Sequence, residues 1–116
     1  MKNTIASISA LAALVAGLSA GASPSPPVAT TTAVAIADYA FKPATVTIAA
    51  GARVVWTQKD DDPHTVTADD GSFDSKGLGQ GDTFAHVFSK PGRYPYHCSA
   101  HPFMKGVVIV TKGKTP

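Results

Sequence analysis

The chain has 116 residues, 44% hydrophobic and 16% charged, which is enough for one small domain and too little for a second core. Its formal net charge is +2, and its Lys and Arg residues are scattered, with no basic run and no basic-aromatic interleaving; this argues against nucleic acid as a partner. A single cysteine, Cys98, excludes an internal disulfide.

The first 22 residues carry one positive charge at Lys2, run uncharged from Ile5 to Leu18 and close with the AxA-like Ala20-Gly21-Ala22. This is the pattern of a secretory signal cleaved after Ala22, so a periplasmic or secreted protein is expected, touching the membrane only before cleavage. The Ala, Ser and Gly content makes a retained membrane anchor the weaker reading. Losing Lys2 with this segment lowers the net charge to about +1, so the basic balance is slight.

"SPSPPVATTT", residues 23–32, has nothing to bury and reads as a flexible lead-in. The folded domain is expected over 33–116. From there the chain shows short apolar and β-branched runs between turn signals, with no helical period.

"AVAIADYAF" is the first run. "ATVTIAAGARVVWTQ" reads as two strands about Gly51, with Val46 and Ile48 on one face of the first and Val54 and Trp56 on one face of the second. "HTVTA", "TFAHVF", "YPYHC" and "GVVIVT" read as further strands, and residues 69–82, dense in Gly and Asp, as loop. About seven or eight short strands, taken as antiparallel from their spacing, predict an all-β fold, a Greek-key β-sandwich.

"HCSAHPFM" places Cys98, His101 and Met104 at equal spacing where a strand runs into a tight turn shaped by Pro102 and Gly106. A turn of this kind brings a thiolate, an imidazole and a thioether around one point. Soft sulfur donors favour copper over calcium, magnesium or structural zinc, and a blue-copper site needs one further histidine.

Three histidines compete for that place. His97 adjoins Cys98 on a strand and faces the opposite way. His86 alternates with Phe84 and Phe88 and reads as a core histidine. His64, after Pro63 at the start of a strand, is the choice.

"DDPHTVT" together with "GRYPYHCSAHPFMKGVVIV" resembles the cupredoxins, the type 1 blue copper proteins, most closely those of the amicyanin type, with bacterial plastocyanin and pseudoazurin more distant. The resemblance covers about residues 33 to 112. It implies one type 1 copper held by His64, Cys98, His101 and axial Met104, with Tyr94 and Tyr96 alternating inward with Cys98. It also implies an electron carrier, not an enzyme, that shuttles between redox partner proteins such as a dehydrogenase and a c-type cytochrome; a monomer is expected. Thr65 stands where the family commonly carries Asn, and Ser99 and Ala100 stand where amicyanins carry Thr and Pro.

His101 is expected to form the exposed edge of the site, with Ala100, Pro102 and Phe103 as a small apolar surface for brief docking. The run Asp60-Asp61-Asp62 reads as a solvated acidic loop, since the chain has no Glu to complete a calcium loop. "GLGQG" lacks the spacing and the strand-to-helix setting of a nucleotide fingerprint. Two rivals are weaker. A catalytic Cys98 with His64 or His101 as base leaves Met104 idle, and a copper-delivery protein would favour a more open site.

Overall fold

The computed structural model describes residues 30–113, so the expected signal over 1–22 lies outside the described residues. Eight strands follow in order: β1 Thr31–Ala37, β2 Ala40–Lys42, β3 Thr45–Ala49, β4 Arg53–Gln58, β5 Thr67–Ala68, β6 Thr83–Val87, β7 Gly92–His97 and β8 Lys105–Thr111. They form two four-stranded sheets, ordered β2-β1-β4-β6 and β3-β8-β7-β5, and no helix occurs among the described residues. The β-sandwich expected from the strand pattern is the architecture found.

Period-2 alternation builds the core. Val34 and Ile36 of β1, Phe41 of β2 and Val54 and Trp56 of β4 meet Val46 and Ile48 of β3, Tyr96 of β7 and Val108 and Val110 of β8 between the sheets. Burying each such side chain contributes about 1.5–3 kcal/mol, which a domain of this size needs from most of its inward positions. One polar pair is set into this core, Trp56 Nε1 donating to Tyr96 Oη over 3.1 Å, so neither buried polar atom is orphaned.

Three sequence expectations are corrected. The pairing is not all antiparallel: β1 lies parallel to β4 and β3 parallel to β8. Spacing reports only neighbouring hairpins, whereas these pairs form because the chain crosses between sheets; the turn at Gly51 carries it from β3 in one sheet to β4 in the other. The run "AVAIADYAF" is two strands rather than one, broken by Asp38 and Tyr39, which adopt φ of 56° and 58°. The lead-in ends earlier than expected, since Thr31 and Thr32 already pair with Arg53 and Val54.

Candidate metal centre

One connection and one turn meet at one end of the sandwich. The β4–β5 connection carries His64, whose backbone is fixed by reciprocal bonds with Leu78 of 3.2 and 2.8 Å. Gln58, fully buried at the end of β4, shapes that connection by donating to the carbonyls of Asp62 (2.8 Å) and Leu78 (3.1 Å) and accepting the N–H of Asp60 (2.7 Å). The β7–β8 turn folds the CxxHxxM segment on itself. His101 N–H donates to Cys98 C=O (3.2 Å), Met104 N–H to His101 C=O (2.8 Å) and Cys98 N–H to Met104 C=O (3.1 Å).

These supports bring His64, Cys98 and His101 together. The Nδ1 atoms of the two histidines are 3.2 Å apart, and they lie 3.6 Å (His64) and 3.7 Å (His101) from Cys98 Sγ. Edges of this length suit an ion about 2.0–2.1 Å from each imidazole nitrogen and about 2.3 Å from the sulfur. The donor set therefore fits a three-coordinate transition-metal centre. Met104 is buried on the same turn and is bonded through its backbone to both Cys98 and His101.

Hydrogen bonds orient each donor. His64 is fully buried, and its Nε2–H donates to Asp60 Oδ2 over 2.9 Å, which leaves the Nδ1 lone pair directed at Cys98 and His101. Asp60 is thus not part of a solvated acidic loop, since its side chain is only 14% exposed and the same carboxylate also accepts the backbone N–H of Asp38 and Tyr39. Asp61 and Asp62 remain exposed as expected. Cys98 is wholly buried, and the Thr65 backbone N–H points at its Sγ over 3.3 Å.

The Thr65 side chain also bridges to the ligand turn. Its Oγ1 accepts the Ser99 N–H (2.7 Å) and meets Thr67 Oγ1 (2.8 Å), which in turn accepts from Ser99 Oγ (3.1 Å). These bonds tie the start of the ligand turn to the segment that carries His64.

The other histidines lie elsewhere. His97 points away from Cys98 and bonds Asp69 over 2.6 Å. His86, half-buried, is flanked by Phe73, Phe84 and Phe88, and burial pushes its pKa down. Ala100, Pro102 and Phe103 are exposed around the half-buried His101. A residue absent from the sequence expectations also reaches the centre. Tyr39 of the β1–β2 turn sets its ring edge-to-face against both His64 and His101, with centroids 5.1 Å from each.

Comparison with known proteins agrees with this geometry. The family described as "Cupredoxin-like domain" matches residues 7–110. Amicyanin-alpha of Methylorubrum extorquens is 40% identical over 111 residues, covering 91% of this chain and 92% of its own length. Among solved structures, a purple cupredoxin from Nitrosopumilus maritimus is 32% identical with a TM-score of 0.64, covering 69% of this chain and 99% of that one. An oxidized amicyanin mutant is 26% identical with a TM-score of 0.66, covering 69% of this chain and 81% of that one.

Proposed function

Because the chain belongs to the cupredoxin-like family, we propose that it is a blue-copper electron carrier whose single copper ion is held by His64, Cys98, His101 and Met104. The observation that carries this reading is the triangle of Nδ1, Nδ1 and Sγ atoms, with the Thr65 N–H aimed at the sulfur. Two imidazoles and a thiolate together with a methionine would be the donor set of electron-transfer copper. Bound copper supplies a reversible one-electron couple between its cupric and cuprous states.

The protein's residues do the rest. Asp60 fixes the tautomer and orientation of His64, and Thr65 stabilises negative charge on the Cys98 sulfur. The two sheets hold these donors in place, so little has to move when the site's charge changes.

Electrons pass through His101, the least buried of these donors, past Ala100, Pro102 and Phe103. Phe103 is 68% exposed, and an apolar rim of this size suits a weak encounter with a redox partner, a dehydrogenase or c-type cytochrome. The protein acts as a carrier rather than an enzyme, as an exported monomer whose residues 1–22 are its signal and whose domain occupies the remainder after the lead-in.

The test is to express the chain from Ser23 onward and add cupric ion. An intense blue colour with a small copper hyperfine splitting is expected. Cys98→Ser should abolish both, whereas His86→Ala and His97→Ala should keep both. Folded protein that stays colourless, or that turns blue equally well with His64→Ala, would refute the assignment.

A further inference from the structure

The two histidines of the centre are held in different ways. His64 is fully buried and tied through Nε2 to Asp60. His101 is half-buried, and its Nε2 has no hydrogen-bond partner among the described residues, so its ring orientation rests on packing. Phe103 lies 6.1 Å from it but is 68% exposed and confines it little. Tyr39 is the other neighbour, its ring perpendicular to His101 with centroids 5.1 Å apart. With His64 and His101 only 4.9 Å apart, the three rings form a nearly equilateral cluster.

Tyr39 is itself anchored at both ends. Its hydroxyl donates to Asp62, and its backbone N–H donates to Asp60 Oδ2 over 2.9 Å, the same oxygen that accepts from His64. Asp38 N–H binds the other oxygen of Asp60 over 2.8 Å. One carboxylate therefore fixes His64 directly and the turn that faces His101.

The backbone gives an independent sign. Asp38 and Tyr39, both at positive φ, make the two-residue turn of the β1–β2 hairpin, where the second place is commonly Gly because a left-handed conformation costs it nothing. A bulky aromatic at φ 58° is strained, and strain of this kind is kept where the side chain has work to do.

We infer that Tyr39 is a positioning residue for the metal centre, its ring holding the His101 imidazole in the orientation that directs Nδ1 at the ion. This rests on the reading of His101 as a copper ligand. The ring, not the hydroxyl, is the operative part, with the backbone N–H bond to Asp60 keeping the turn and its ring in place.

The experiment compares the parent with Tyr39→Gly and Tyr39→Phe, each loaded with copper. Tyr39→Gly removes the ring but relieves the turn, so the variant should keep the fold. Its cupric absorption and hyperfine splitting should nevertheless change, and loss of cuprous ion to a chelator should be about tenfold faster. Tyr39→Phe should restore the parent spectrum and release rate. A Tyr39→Gly protein with the parent's spectrum and release rate would overturn the inference while leaving the copper site intact. A Tyr39→Phe protein as impaired as Tyr39→Gly would overturn it too, by assigning the effect to the hydroxyl. A parent that binds no copper would overturn both the inference and the copper reading.

Discussion

Thr65 serves Cys98 twice: its backbone N–H points at Sγ over 3.3 Å, and its hydroxyl accepts the N–H of Ser99, the residue that follows the cysteine, over 2.7 Å. The first contact is independent of the side chain and the second depends on it. Thr65→Val, which keeps the shape and removes the hydroxyl, should leave the protein blue but cost about 1 kcal/mol of stability. It should also shift the reduction potential, because the backbone beside the thiolate loses a tether. Voltammetry and thermal unfolding check both, and a variant matching the parent in each would show that the tether is idle.

Asp60 is the hub of the loop that presents His64, accepting from His64 Nε2, Asp38 N and Tyr39 N. Asp60→Ala removes all three bonds at a largely buried position. Copper affinity, measured by competition with a chelator, should fall about 10- to 100-fold. Asp61→Ala, at an exposed neighbour, should leave it unchanged. Equal affinities for the two variants would mean that His64 needs no partner for Nε2.

Gly106 is required by its neighbour across β7 and β8. It pairs with Tyr96 in register, and a Cβ placed on it would lie 2.4 Å from both Cζ and Oη of Tyr96. Tyr96 cannot easily yield, since it is fully buried and bonded to Trp56. Gly106→Ala should therefore destabilise the fold by about 1–3 kcal/mol through overpacking. For a domain of this length that is a drop in Tm of roughly 4–8 °C per kcal/mol. Unchanged melting would mean that the sheet gives way there at little cost.

The sequence made much of this visible because strand faces and ligand spacing are local properties. Val46 with Ile48, Val54 with Trp56, and Tyr96 with Cys98 obey period 2 and do point inward. CxxHxxM lies within one turn, and the facing rules for His86 and His97 left His64 to join it. What escaped depends on distant segments. The Asp38-Tyr39 turn carries no glycine and sits inside an apolar run, so nothing local marks the hairpin that brings Tyr39 to the histidines. Asp60 looks like its neighbours Asp61 and Asp62 until His64 is folded back onto it, and Gln58 looks like an ordinary strand end until its amide is seen joining Asp60, Asp62 and Leu78. The parallel pairs β1–β4 and β3–β8 likewise follow from crossovers between sheets, which no turn signal records.

Stability should fall on both the acid and the alkaline side, for separate reasons. His86 has its pKa pushed below the ordinary 6.5 by burial, so the unfolded chain takes up its proton first as pH falls. Its stabilising effect is whole above that ordinary value and is lost as pH drops toward the folded pKa. His86→Phe should flatten this acid limb. Tyr96 behaves in the opposite sense, because burial raises its pKa from 10.0 to about 12. Its contribution is whole below pH 10 and declines as pH rises toward 12, since the unfolded chain ionises first; the total loss is about 2–3 kcal/mol. Tyr96→Phe also loses the bond from Trp56, but that offset does not vary with pH. Denaturant unfolding of the metal-free protein between pH 8 and 11 should therefore show a shallower decline for Tyr96→Phe than for the parent. Parallel curves would mean that the Tyr96 hydroxyl is as free to ionise in the folded protein as in the unfolded chain.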